Sequence, residues 1–332
     1  MKKILVMTTG GTIASEETPH GLIPALSPEQ LLSYLPDISS DIELGVLSVC
    51  SIDSTDMTPE VWLDIAAAVK ANYDKYDGFV ICHGTDTMAY TACALSYLIQ
   101  RAGKPIVLTG AQKPIGSEIT DAKTNLRDSI IYAADEMSTG IVIVFDGKVI
   151  AGTRGRKSRT YSFAAFSSIN YPELAAIQDG RIIRYVDDGK LKGEPVFCDK
   201  LNPRVFLLKL TPGVEPYLLD EIIGHYDCII IESFGVGGIP ATLMDHLAEL
   251  LSKYKPEEKV LVLSTQVPYE GSNVSVYEVG RRVKERLNIL EARDMTTEAI
   301  ITKMMWILGQ DHLTWEVINE LFYKRINYDT IW

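Results

Sequence analysis

The sequence is poor in the residues that build metal, redox and nucleotide sites. Its five histidines (His20, His83, His225, His246 and His312) form no H-E-x-x-H and no other zinc spacing. Its five cysteines (Cys50, Cys82, Cys93, Cys198 and Cys228) are scattered, with no C-x-x-C pair. That pattern fits a reducing, cytoplasmic setting better than a disulfide framework. None of the Gly-Lys pairs at 103, 147 and 189 is followed by Ser or Thr, so no Walker loop is present to cradle phosphates. Gly235-Val236-Gly237-Gly238 runs into Pro240 where a dinucleotide fingerprint needs its third glycine, and no G-x-S-x-G elbow occurs. No stretch approaches the roughly 18 apolar residues of a membrane span. The apolar segment after Lys2 and Lys3 is too short for a signal-peptide core. Basic charge is in deficit too: the net charge of −12 argues against nucleic acid or an anionic membrane as partner. The chemistry expected is free of metal and cofactor.

What is present is enough for two globular domains: 332 residues, 46% hydrophobic and 23% charged. The apolar run Ile4 to Met7 predicts a buried strand ending in Thr8-Thr9-Gly10-Gly11-Thr12. Thr58-Pro59-Glu60 reads as a helix start, with Thr58 as the capping hydroxyl. Strand Phe79–Cys82, helix Thr87–Ile99, strand Pro105–Thr109, a helix over 121–137 and strand Gly140–Phe145 follow in turn. Asp146-Gly147 then predicts a hairpin into Lys148-Val149-Ile150. This is the rhythm of a parallel α/β sheet. It breaks in a segment rich in charge, Gly and Pro, and resumes from Val205 with alternating strands and helices to the C-terminus. The expected division is a catalytic domain over 1–180, a linker over 181–204 and a smaller α/β domain over 205–332.

Two strand ends carry chemistry. Gly11-Thr12 and Gly84-Thr85-Asp86 each present a threonine hydroxyl after glycine, the second beside a carboxylate. In open α/β sheets the carboxyl ends of strands are where ligands bind. A threonine hydroxyl is a weak nucleophile and needs a base nearby. Asp86 cannot easily reach its neighbour's hydroxyl, but it can hold a lysine, and Lys157 in Gly152-Thr153-Arg154-Gly155-Arg156-Lys157 is the candidate. A partly desolvated lysine can act as a base. The loop Asp53-Ser54-Thr55-Asp56 gathers carboxylates, hydroxyls and backbone donors suited to a small zwitterion. Plainer roles are expected of Thr87, as the cap of its helix, and of His83, as hydrogen-bonded structure.

Together, Thr9-Gly10-Gly11-Thr12-Ile13-Ala14 and Gly78-Phe79-Val80-Ile81-Cys82-His83-Gly84-Thr85-Asp86-Thr87-Met88 resemble the two signature segments of the bacterial L-asparaginases, nearest the cytosolic type I members. The likeness continues through Asp53–Met57, the Lys157 loop and Glu232-Ser233-Phe234-Gly235. The resemblance implies two α/β domains with mainly parallel sheets, the larger flavodoxin-like and the smaller, C-terminal one Rossmann-like. It implies hydrolysis of L-asparagine, with Thr12 as nucleophile and Thr85, Asp86 and Lys157 handling protons. Gly11, Asp53, Ser54, Thr55, Gly84, Thr85 and Asp86 would contact the amino acid, and Ala111 the side-chain amide. No cofactor is implied, and the assembly would be a homo-oligomer, a dimer of dimers. Two positions depart from the pattern. Leu22 stands where many members have a tyrosine beside the nucleophile. Glu232 stands where some cytosolic relatives have an arginine tied to allosteric asparagine binding, and a carboxylate there would repel that effector. The amidase component of the archaeal Glu-tRNA(Gln) amidotransferase shares this fold but carries an extra N-terminal domain, and Thr12 near the chain start speaks against it.

Overall fold

A computed structural model describes residues 1–18, 21–24, 26–35, 40–187, 189, 193–276 and 288–332. The chain divides into two compact units, Met1–Asp199 and Lys200–Trp332. The first contains, in order, β1 (Lys2–Gly10), α1 (Pro28–Ser33), β2 (Ile42–Ile52), α2 (Pro59–Asn72), β3 (Gly78–Cys82), α3 (Met88–Leu98), β4 (Pro105–Thr109), α4 (Ala122–Ala134), β5 (Gly140–Phe145), β6 (Lys148–Ala151), β7 (Ala175–Gln178) and β8 (Arg181–Arg184). Their sheet runs β8-β7-β6-β5-β4-β3-β1-β2. From β2 to β5 every pairing is parallel, and from β5 to β8 every pairing is antiparallel. Of the segment expected as linker, Arg181–Arg184 forms the last strand of this sheet, and Val196–Phe197 pairs with Ile99–Gln100.

The central strands β3, β4 and β5 are buried along their whole length, as is β1 beyond its first two residues. Parallel strands covered on both faces must be apolar throughout, which is why Ile4–Met7 and Phe79–Cys82 read as unbroken hydrophobic runs. Helix α3 is buried nearly all round, consistent with its apolar composition. Strand β2 is the sheet's edge and is only partly covered. Its Gly45 lies under the Tyr76 ring, where a Cβ would collide with that side chain.

The second unit has β9 (Val205–Lys209), α5 (Leu218–His225), β10 (Cys228–Ser233), α6 (Ala241–Leu251), β11 (Val260–Thr265), β12 (Ile289–Glu291), α7 (Thr297–Leu308) and α8 (Trp315–Tyr323). Its four strands are all parallel, in chain order. Leu219, Ile222 and Ile223 of α5 and Leu243, Met244 and Leu247 of α6 pack on Ile229, Ile231, Leu261 and Leu263 of the sheet. Both units are α/β with mainly parallel strands, as the alternation of the sequence implies. Thr296 and Thr314 cap α7 and α8 by accepting from Ala299 N and Val317 N. Among the described residues no helix is long and apolar enough to cross a membrane.

Two capping expectations are corrected. Thr58 occupies the cap position of α2, but its side chain accepts no backbone N–H and instead hydrogen-bonds Glu60, which helps hold that carboxyl below its ordinary range. Thr87 likewise makes no cap for α3, and its hydroxyl donates to Ser54 O at 2.8 Å. In each case a side-chain or distant backbone partner outcompetes the local N–H groups.

Candidate active site

The sheet order sets β2, β1, β3 and β4 side by side with their carboxyl ends together, so four loops that are distant in sequence meet. Close backbone approach fuses them. Gly11 has φ of 80° and begins a single tight helical turn, Thr12–Ala14. A Cβ on Gly11 would strike the Gly84 N and Cα atoms. A Cβ on Gly84 would lie 2.5 Å from Ser54 Oγ. Only glycine at 11 and 84 lets the loops after β1, β3 and β2 touch. Thr12 and Thr85 are the residues that directly follow these two glycines. Thr12 is partly exposed, and among the described residues nothing hydrogen-bonds its hydroxyl.

Lys157 closes the second cluster. It lies in the short strand Gly155–Lys157, paired antiparallel with Phe166–Ser168. Its Nζ donates to Thr85 Oγ1 at 2.7 Å and to Asp86 Oδ1 at 2.7 Å. The Lys157 side chain is 18% exposed and that of Asp86 58%. The lysine is thus mostly withdrawn from water while its counterion remains wet.

Gln112 is a member of the site that the sequence does not announce. Its Nε2 donates to Thr160 O at 3.0 Å and Ser162 O at 3.2 Å, which turns its Oε1 towards the Thr85 hydroxyl, 3.3 Å away. Thr85 therefore gives its proton to Gln112 and offers a lone pair to Lys157. The Gln112 amide N–H is held by the buried Asp121, whose carboxyl burial pushes up despite several hydrogen bonds. Ala111, next to Gln112, is buried. A polar residue directly after Gly110-Ala111 at a strand end is the only local signal.

The loop after β2 is built around Asp53, whose Oδ1 accepts from Thr55 N and Thr55 Oγ1, both at 2.8 Å. These bonds hold its carboxyl below the ordinary range, so it stays ionised. Asp53 and Thr55 are exposed, whereas Ser54 is buried against Gly84. His83 is fully buried and hydrogen-bonded at both nitrogens, as expected of a structural histidine. Leu22 lies in a strand paired with Ser15–Thr18, but its side chain is outside the described residues. Glu232 is buried at the end of β10, where it accepts from Thr297 Oγ1 at 2.5 Å. Among the described residues no cluster of His, Cys, Asp or Glu could hold a metal ion.

Comparison with known proteins accounts for both units. Residues 3–188 match the family "Asparaginase, N-terminal" and residues 204–322 match "Glutaminase/Asparaginase C-terminal domain". The L-asparaginase of Thermococcus kodakarensis is 40% identical over 308 residues, covering 92% of this chain and 93% of that protein. A solved structure of the thermostable L-asparaginase from that organism superposes with a TM-score of 0.91, covering 98% of each chain at 37% identity. L-asparaginase 1 of Escherichia coli is 32% identical over 327 residues, with 93% of each chain covered. A component of the Glutamyl-tRNA(Gln) amidotransferase of Pyrococcus furiosus is 34% identical over 319 residues, covering 92% of this chain and 72% of that protein. With both units matched and identities of 40% and 32% spanning more than nine-tenths of its length, this chain belongs to the asparaginase family.

Proposed function

We propose that this protein is an L-asparaginase that hydrolyses L-asparagine to L-aspartate and ammonia, with Thr12 as nucleophile. The observation that carries the reading is Lys157 Nζ shared between Thr85 and Asp86 at 2.7 Å, in the loop that meets the Gly11-Thr12 turn, where among the described residues nothing hydrogen-bonds the Thr12 hydroxyl. In the first half-reaction Lys157 serves as the neutral amine: Thr12 Oγ attacks the side-chain amide carbon while the proton of Thr12 passes, by way of the Thr85 hydroxyl, to Lys157 Nζ. The C–N bond then breaks, the nitrogen takes up a proton and leaves as ammonia, and an aspartyl ester remains on Thr12. In the second, water attacks the ester carbon, and aspartate departs as Thr12 regains its proton. Asp86 keeps Lys157 aimed at Thr85, and Gln112 keeps the Thr85 lone pair facing the lysine.

The ends of the amino acid fall to the neighbouring loops. Ionised Asp53 suits the α-ammonium group. Ser54, Thr55 and the backbone at Gly11 and Gly84 suit the carboxylate, and Ala111 borders the amide. The five cysteines are free, which supports a reducing, cytoplasmic location. The similarity to an amidotransferase component favours one second reading, a deamidating protein that passes ammonia on to a charged tRNA. Ammonia release from L-asparagine alone, with no tRNA present, separates the two.

The test of the nucleophile is Thr12→Ala. The variant should lose turnover while keeping its fold and its asparagine binding, because positioning alone does not replace a covalent step. Ammonia release within tenfold of the unmodified enzyme would overturn the assignment.

A further inference from the structure

His83 and Thr91 are wholly buried, and they form a hydrogen-bond chain that the reaction itself does not use. Trp62 Nε1 on α2 donates to Thr91 Oγ1 on α3 at 2.9 Å. Thr91 Oγ1 lies 2.9 Å from His83 Nε2, and His83 Nδ1 lies 2.7 Å from Gly84 O. The two ends fix every proton between them. An indole nitrogen only donates and a carbonyl oxygen only accepts. His83 Nδ1 therefore carries the proton, Nε2 accepts, and the Thr91 hydroxyl, already receiving the indole N–H, donates to Nε2. Burial lowers His83 to about 4, so the ring is neutral at ordinary pH and this tautomer is available.

The carbonyl at the end of the chain belongs to the peptide that joins Gly84 to Thr85. Glycine has no side chain to restrain that peptide. Its neighbours are the backbone contact with Gly11 on one side and Ser54 on the other. Turning the Gly84 carbonyl away would swing the Thr85 hydroxyl off Lys157 Nζ. We propose that Trp62, Thr91 and His83 act as a one-way hydrogen-bond relay that locks the Gly84–Thr85 peptide, making His83 a positioning residue for the reaction through Thr85 and Thr91 the donor that anchors its Nε2. The inference rests on the reading of Thr12, Thr85 and Lys157 as the reacting groups.

The test joins a spectroscopic readout to a kinetic one. Nitrogen NMR of the imidazole in the unmodified protein should show Nδ1 protonated and Nε2 bare, and a protonated Nε2 overturns the relay whatever the activity. Thr91→Val keeps the shape but removes the donor to Nε2, so Gly84 O alone is left to hold the ring and the ring and peptide should be less firmly placed. Its kcat should fall by roughly 10- to 100-fold, the scale of a small misplacement of reacting groups, with KM changed less than about threefold. Thr91→Ser restores the hydroxyl and should return kcat to near the starting value. A kcat for folded Thr91→Val equal to that of the unmodified enzyme overturns the proposal. So does a loss in Thr91→Ser as large as in Thr91→Val. If Thr91→Val fails to fold, the spectrum of the unmodified protein and the kcat of Thr91→Ser still decide. An unmodified protein that releases no ammonia from asparagine refutes the functional reading instead, and the nitrogen spectrum then judges the relay alone.

Discussion

Lys157 reaches across 72 positions of sequence to Thr85 and 71 to Asp86, and it makes the same 2.7 Å contact with each. Two strong donations from one ammonium make the three side chains a unit, and removing either anchor frees the third. Lys157→Ala and Asp86→Ala should each lower kcat by roughly 10²- to 10⁴-fold, the usual worth of positioned acid–base groups. Steady-state ammonia assays should find the double variant little worse than the more damaged single, since members of a unit are not additive. Losses that multiply would show two independent contributions. The residue types for this unit are legible without any coordinates, because a hydroxyl, a carboxylate and a lysine on loops after strands have few other joint uses. Gln112 is not legible. Its part depends on carbonyls of Thr160 and Ser162, 48 and 50 positions away, and no local pattern announces such partners.

At the scale of elements, the buried strands are the easiest to read. Pro105–Thr109 and Gly140–Phe145 form with the expected bounds because full burial leaves an unbroken apolar run between turn residues. Strand β2 does not stand out in the sequence: an edge position leaves it half exposed, and Gly45 interrupts its middle. The failed caps at Thr58 and Thr87 have one physical origin, that a hydroxyl follows its best acceptor or donor rather than its place in the chain. The closing helices carry a different kind of risk. Lys303 of α7 is buried with Asp329 at 2.6 Å and also donates to Lys324 O at 2.8 Å. Burial pulls the ammonium below its ordinary range while Asp329 pushes it back up. Lys303→Met would strand the Asp329 carboxylate in the interior and should destabilise the protein by about 3–5 kcal/mol. Adding Asp329→Asn should recover part of that loss in denaturant unfolding. A single variant within about 1 kcal/mol of the parent would show that the pair contributes little.

For the whole molecule, two buried groups shape the response to pH in opposite senses. Burial raises Asp128, on α4, from 3.8 to about 6, so the folded protein holds a proton that the unfolded chain has released. Its stabilisation is present at low pH and fades as pH rises through that interval. His83 is lowered from 6.5 to about 4, so its contribution is full above the upper value and fades as pH falls through the interval. The slopes oppose each other over nearly the same window. Asp128→Asn should therefore raise the melting temperature more at about pH 7 than at about pH 4, with the difference opening between them. An equal shift at both pH values would mean that Asp128 does not titrate as described. Assembly is the other property at this scale. Family likeness leads to a homo-oligomer, and light scattering at micromolar concentration should find more than a monomer. Glu232, buried and bonded to Thr297, offers no cation to a carboxylate effector, and Arg154 is itself buried in the interior. A Hill coefficient below about 1.5 for asparagine follows.

Sheet order also has a consequence in time. Strand β1 is an inner strand of the finished sheet and pairs with β2 on one side and β3 on the other. A growing chain can therefore close the Gly11–Gly84 contact once β3 and its loop have emerged. Lys157 comes some seventy residues later, on a short strand that needs Phe166–Ser168 as its partner. At a synthesis rate of about 5–20 residues per second, that is a delay of several seconds. During it, the Gly11–Gly84 contact can form while Thr85 and Asp86 still lack Lys157. Non-local parallel pairing folds slowly in any case. On the proposed reading, a chain that has not yet reached Lys157 lacks one of its reacting groups and should release no ammonia.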